Sequence, residues 1–389
     1  MNFDLSEQEI LLRDAVADFL RDRHDDATRR AMAQTPDGWR RQFWADYAQT
    51  LDLFRLGVPE AHGGLGGTRA EMVVVLEQFG RALPFEPFVE SVIVCGGLLQ
   101  RADAAAALQT LMSGEALFAF AHDETPAPHG AGVLRAQAMR DGNGYRLSGG
   151  KSVVIAAPWA DRLLITASLD GAMGLFVADA NSPGIIRHDY PTLDGRRAAD
   201  IGLHDVRLDG AALIAAPGAA EPSVAFALDE AAAAVCAEAI GVLRRMLELT
   251  VDYSSQRKQF GQAICDFQVI QHRLADMFID VEQAASMALM AAAYLDDAAP
   301  VRSRQVSAAK AYVGAACRRI AQACVQIHGA IGITDELALG RYFKRAAAIQ
   351  ASFGTTNYHL SRYRQLGAAL QGGSTEAMPP SVAVRCDAP

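Results

Sequence analysis

The sequence predicts an α+β fold: an N-terminal all-α domain, a small middle β-barrel or sandwich, and a C-terminal four-helix bundle. Three observations carry this. Apolar residues recur at spacings of three and four up to about residue 112, the pattern then breaks into short runs separated by turn residues, and a long alanine-rich helical pattern resumes from Ser223. The chain of 389 residues is long enough for several cores, and the expected boundaries are 1–114, 115–222, 223–370 and a flexible tail at 371–389.

Residues 4–22 hold Leu5, Ile10, Leu11, Val16, Phe19 and Leu20 at helical spacing, and Ser6 with Glu9 three positions later predicts a capping box. A second helical pattern covers 41–51. Residues 56–67 are too rich in glycine for helix or strand and predict a tight loop. Further helices are expected around Met72, Val73, Leu76 and Phe79, over 91–99, and over 104–112. Eight short strands follow, at 117–121, 133–139, 145–148, 152–155, 163–166, 174–177, 185–187 and 199–203, with Gly142-Asn143-Gly144 as a hairpin turn. In the last third, Phe267, Ile270, Leu274, Met277, Phe278, Val281 and Ala285 form one apolar stripe, and Val306, Ala309, Val313, Ala316 and Ile320 form another. Facing stripes on long helices predict a bundle.

Charge and composition exclude several functions. A net charge of -9 with 21% charged residues argues against a nucleic-acid partner, which needs a concentrated basic face. Cys95, Cys236, Cys265, Cys317, Cys324 and Cys386 show no CxxC pairing and sit mostly among aliphatics, so they are expected as reduced thiols in a cytoplasmic protein. The acidic start is unlike a signal peptide, and no apolar run reaches the roughly 18 residues of a membrane span. Neither His188 nor His272 belongs to a metal-binding spacing, so no metal is expected.

The stretch with the most chemistry runs from Arg257 to Met277. Arg257-Lys258-Gln259-Phe260-Gly261-Gln262 sets a permanent cation beside an aromatic on a glycine turn, a pattern suited to gripping a phosphate and capping a flat ring. With Gly57-Val58-Pro59-Glu60, Leu147-Ser148-Gly149-Gly150-Lys151 and Gln326-Ile327-His328-Gly329-Ala330-Ile331-Gly332, in this order, the chain resembles the acyl-CoA dehydrogenase family to about residue 367. The resemblance implies FAD, an acyl-CoA thioester as substrate, an electron-transfer flavoprotein as acceptor, and a homo- or hetero-tetramer. It assigns Arg257 and Phe260 to a flavin held mainly by the neighbouring subunit, with Gln326, Gly329 and Ala330 on its adenine side. It places this chain's own flavin along Phe120, His122 and Asp123, beside Ile155 and under Thr355 and Asn357.

Departures from the family pattern concern the reaction itself. Val153 stands where an aromatic usually covers the flavin, Ile155 replaces a hydroxyl residue, and the loop Glu124-Thr125-Pro126-Ala127-Pro128-His129 lacks the usual Gly-Ser pattern. The family reaction is α,β-dehydrogenation, in which a carboxylate takes the α-proton while the β-hydrogen leaves as hydride. Phe353 occupies the usual position of that carboxylate, and Ala231 the position used by a minority of members. Glu238 and Glu230 are the candidate replacements, beside Asp229; first-turn acids favoured by the helix dipole are the other reading of Asp229 and Glu230, and a buried partner for one of the bundle's arginines is that of Glu238. The segment Ser352-Phe353-Gly354-Thr355-Thr356 resembles the small subunit of heteromeric bacterial acyl-CoA dehydrogenases of the pimeloyl-CoA or steroid side-chain type. A base relocated within a homo-oligomer, a flavin oxidase or monooxygenase of the same fold, and a non-catalytic partner subunit are the alternatives.

Overall fold

The computed structural model describes residues 5–33, 35, 37–125, 134–334 and 336–372. Helix α1 (Glu7–Arg23) begins with the expected capping box, in which Glu9 N–H donates to Ser6 Oγ and Ser6 N–H donates to Glu9 Oε2 at 2.7 Å. Helices α2 (Asp26–Ala33), α3 (Arg41–Gln49) and α4 (Arg69–Ala82) follow, α4 opening with a second box from Thr68 and Glu71. The helical pattern expected over 91–99 starts earlier, as a wide, wholly buried turn at Phe88–Cys95 that runs into α5 (Gly96–Arg101); α6 (Ala105–Met112) completes the helices before the sheet.

The middle strands form one open sheet rather than a closed barrel. Its order is β6 (Ile185–Pro191), β7 (Arg197–Leu208), β3 (Gly144–Ile155), β2 (Gln137–Asp141), β4 (Arg162–Leu169), β5 (Ala172–Asp179), β8 (Leu213–Ala215), with β1 (Phe118–Ala121) parallel to β4. No ladder joins β6 to β8 among the described residues, so both edges stay open. The runs expected at 145–148 and 152–155 are one strand, β3, bent by register shifts at Leu147/Gly149 and Lys151/Val154. Its alternation fails at those shifts, which is why the sequence reads as two strands. The turn at Gly142-Asn143 is as expected, with Asp141 paired to Gly144 and Gly142 at φ 61.

Helix α7 (Ala220–Gln256) is the spine of the C-terminal region, and by helical rise it is about 55 Å long. It packs against α4, α8 (Gln268–Ala293), α9 (Ala299–His328) and α10 (Leu339–Ala351), and α11 (Thr356–Gly372) lies on α9. Glycines let α4 and α7 touch backbone to backbone. A Cβ on Gly80 would fall 1.9 Å from the Glu238 carbonyl oxygen, and one on Gly241 would fall 1.9 Å from that of Glu77. The stripe on α8 is real at Met277, Val281 and Ala285, but Phe278 is exposed beside Ile279 and does not belong to it. Of the expected tail, 371 and 372 are still the end of α11, and the rest lies outside the described residues.

Candidate functional site

A cavity of about 410 Å³ lies where the sheet meets the start of α7 and the turn between α10 and α11. Phe120, His122, Asp123, Val153, Ile155 and Phe353 all line it, so the structure gathers three residues of the expected ring site and three of the departures from the family pattern into one place. Val153 stands at the β3 register shift with φ 54, its N–H donating to Asp200 Oδ1 at 2.8 Å. Phe353 has φ 51, in the turn that leads into α11. Thr355 and Asn357 lie on the exposed start of α11, beside the cavity wall but not in it. The loop residues Pro126, Ala127, Pro128 and His129 lie outside the described residues.

Beneath the ring site is a satisfied polar layer. The buried Lys151 ammonium donates to Glu124 Oε1 at 2.6 Å, to the His122 carbonyl at 3.2 Å and to Thr166 Oγ1 at 3.2 Å. His122 Nδ1 is 3.0 Å from the same hydroxyl, and its ring stacks on Phe120 at 5.2 Å. Burial, reinforced by Lys151, pushes His122 down to about 4, so it is a neutral ring at neutral pH. The Phe353 turn is pinned as firmly: buried Lys310 donates to the Gly354 carbonyl at 2.8 Å, and His359 Nε2 meets the Phe353 carbonyl at 2.9 Å.

Neither candidate base lines the cavity. Glu238 is held by both guanidinium arms of Arg345, at 2.7 and 2.6 Å, and Arg345 also holds Asp194 at 2.7 Å. Burial alone would raise this carboxyl, but the pairing with Arg345 outweighs it and leaves the group below its ordinary value, a poor proton acceptor. Glu230 is raised by burial against the opposing pull of Arg69, which it engages together with Asp296. Asp229 is fully buried under Arg302, Ser303 and Arg362, at 3.0, 2.6 and 2.6 Å. Both acids therefore stand outside the cavity lining, each engaged by an arginine. Ala231 and Phe353, at the two expected base positions, carry no acid.

The other group of expected residues collects at the far end of α7. Tyr253, in its last turn, stacks on His328 at 4.3 Å and so docks the end of α7 on the end of α9. Arg257 and Phe260 therefore share one end of the bundle with Gln326, Gly329 and Ala330, and all five are exposed, Phe260 to 95%. Gly329 sits at φ 68, where the chain leaves α9. From Leu228, in the cavity wall, to Arg257 is about 40 Å along the helix, beyond the span of one dinucleotide. The two groups of residues are therefore separate sites on one chain.

Sequence reasoning missed Glu90, Val94, Met173, Leu228, Tyr358, His359 and Arg362, all of which line the cavity. Glu90 carried the same signal as Glu238, an acid inside an apolar run; the others carried none, because they come together only through the tertiary fold. Among the described residues no group of three or more potential metal ligands exists, and no helix is long and apolar enough to cross a membrane. Cys95, Cys236, Cys317 and Cys324 are buried free thiols and Cys265 is half-buried; Cys386 lies outside the described residues.

Comparison with known proteins agrees with this architecture. Residues 6–115 match the acyl-CoA dehydrogenase N-terminal domain model, and 223–365 match that of the C-terminal domain. The chain is 27% identical over 379 residues to the Bacillus subtilis protein described as "Probable acyl-CoA dehydrogenase YngJ", covering 92% of this chain and 97% of that one. It is 29% identical to the acyl-CoA dehydrogenase FadE27 of Mycobacterium tuberculosis, covering 78% and 82%. The structure superposes with a TM-score of 0.85 on a chain of the ChsE4-ChsE5 complex of Mycobacterium tuberculosis, at 26% identity over 97% of this chain and 100% of that chain. On these grounds the chain belongs to the acyl-CoA dehydrogenase family.

Proposed function

We propose that this chain is the base-poor subunit of a hetero-oligomeric, FAD-dependent acyl-CoA dehydrogenase, and that its partner, a second acyl-CoA dehydrogenase subunit, supplies the α-proton acceptor. The observation that carries the proposal is the contrast along α7. Phe353 and Ala231 leave the cavity without a carboxylate at either expected position, and Glu238 and Glu230 are committed to Arg345 and Arg69. At the other end Arg257, Phe260, Gln326, Gly329 and Ala330 are exposed.

The residues fit a flavin dinucleotide. Arg257 would pair with the pyrophosphate and Phe260 would pack on its flat portion. The open turn at Gly329, where an added Cβ would meet nothing within 4 Å, leaves backbone amides free to approach the adenine side. Phe120, His122 and Asp123 would bound the ring site of this chain, with Thr355 and Asn357 above it. Bound there, the flavin supplies a hydride acceptor. Toward a thioester, this chain's residues orient and exclude water: the pinned Phe353 turn closes the wall, and the neutral His122 adds no charge beside the ring. An electron-transfer flavoprotein as electron acceptor, and lipid or steroid breakdown as the setting, follow from the family reading. So does a soluble cytoplasmic location.

The test is composition. The chain is purified alone and after co-expression with a candidate partner, an acyl-CoA dehydrogenase subunit that carries the usual glutamate, and mass and flavin content are measured. The proposal expects a mixed assembly with more flavin per chain than the chain alone retains. A self-assembled oligomer with one flavin per chain, unaffected by the partner, contradicts it.

A further inference from the structure

At the rim of the cavity, two residues of β3 stand against one residue of β7. Lys151 faces Ile201 and Val154 faces Ala199, so Ser152 and Val153 together oppose Asp200. The extra residue re-aims the strand. Ser152, Val153 and Ile155 all line the cavity, whereas Lys151 and Val154 are buried and do not. In an unbroken strand Ser152 would share a face with Val154 and point away from Val153.

Neither packing nor backbone preference holds this bulge. Val153 has φ 54, a region that a β-branched residue occupies only where its surroundings impose it, and it is 57% exposed. Hydrogen bonds from outside the ladder hold it instead. Ser152 N–H donates to the Asp123 carbonyl at 2.8 Å, and Val153 N–H donates to Asp200 Oδ1 at 2.8 Å. The same oxygen accepts from the Tyr190 hydroxyl at 2.9 Å, and Tyr190 lies on the edge strand β6. One carboxylate oxygen thus ties β6, β7 and β3 together at the point where the β3 ladder is broken.

We infer that Asp200 is a positioning residue: it holds the β3 bulge and so sets the wall that Ser152, Val153 and Ile155 present to a flavin ring. The inference rests on reading the cavity as a ring site and adds the residue that shapes it. Asp200 does not line that cavity itself, so it acts through β3. Without its oxygen, Val153 N–H loses its acceptor, and the valine relaxes toward extended backbone. A strand that loses its extra residue turns the neighbouring side chains to the other face. The need is for an acceptor oxygen, not for a charge.

The experiment titrates FAD into the flavin-depleted, co-expressed assembly and follows flavin fluorescence and visible absorbance. Asp200→Ala is expected to weaken FAD binding at this chain's ring site by about tenfold, the scale of one hydrogen bond, and to shift the absorption band of the bound flavin. Asp200→Asn keeps an oxygen for both donors and should stay within about twofold of wild type. Glycine adopts a positive φ without help, so in a Val153→Gly background Asp200→Ala should add less than about twofold. Where Asp200→Ala does not assemble, Tyr190→Phe reads the same arrangement by freeing the carboxylate on one side, with an expected loss of about threefold. Wild-type affinity and spectrum in Asp200→Ala, or in Tyr190→Phe where that variant stands in, overturn the inference. An equal loss in Asp200→Asn also overturns it, because charge would then be what matters. So does an equal loss in the Val153→Gly background, because Asp200 would then act without the bulge. A wild-type assembly that takes up no FAD removes the ring-site reading itself, and this inference with it.

Discussion

The two ends of α7 differ in how completely the chain satisfies its own groups. At the cavity end almost every polar atom is paired: Asp229 by three partners, Glu238 by Arg345, Lys151 and Lys310 by carbonyls, a carboxylate and a hydroxyl. At the other end Phe260 is 95% exposed, and Val269, Phe278 and Ile279 on α8 are each more than half exposed. An apolar surface of this kind beside a cation marks a face that another molecule completes. The cavity end is therefore satisfied within this chain, whereas the Arg257 end leaves apolar and charged groups exposed.

The contrast breaks most directly at Arg345. Replacing Arg345 by Met strips a buried, bidentate partner from Glu238 and another from Asp194, and should cost about 3–5 kcal/mol in urea unfolding. A loss below 1 kcal/mol would mean that the pair is not buried in solution. Next, Gly241→Ala drives a methyl group against the Glu77 carbonyl and should cost on the order of 3 kcal/mol, read as a drop in melting temperature.

Acid should act on the cavity end next. Burial holds His122 at about 4 and His359 at about 3, below the ordinary 6.5, so the unfolded chain binds protons that the folded chain refuses. Their contribution is intact above pH 6.5 and is lost as the pH falls toward those values, by about 2 kcal/mol each at pH 5. In the N-terminal region His24, at about 4, loses stability in the same range, but Glu86, at about 7, takes up its proton on folding and offsets it. Denaturant midpoints at pH 7 and pH 5 check the sum. The smallest stability effect should belong to the exposed end. Arg257→Ala should shift unfolding of the chain by no more than about 0.5 kcal/mol, yet lower the flavin affinity of the assembly by at least about tenfold.

These two ends were not equally legible in the sequence. The Arg257–Phe260 turn and Gln326–Ala330 could be read because each is a contiguous motif at a helix end. The helices were visible for a related reason, a period repeated over many turns. The cavity was legible only where the chain approaches it through a motif, as at His122, Ile155 and Phe353. Tyr358, His359 and Arg362 reach it through the docking of α11, which leaves no local mark. Glu238 shows the limit most plainly. A carboxylate in an apolar run must be paired or proton-poised, and only the position of Arg345, more than a hundred residues away in sequence, decides between them. The sheet was misjudged for a similar reason: register shifts in β3 break its alternation, and barrel closure depends on edge strands that no local pattern pairs.

The most direct measurement is anaerobic flavin reduction by an acyl-CoA, followed by absorbance, with the chain alone reconstituted with FAD and with the co-expressed complex. The account predicts no bleaching by the chain alone and full bleaching by the complex, with Glu238→Gln and Glu230→Gln leaving the rate in the complex unchanged. Rapid bleaching by the chain alone, abolished by either substitution, would contradict it.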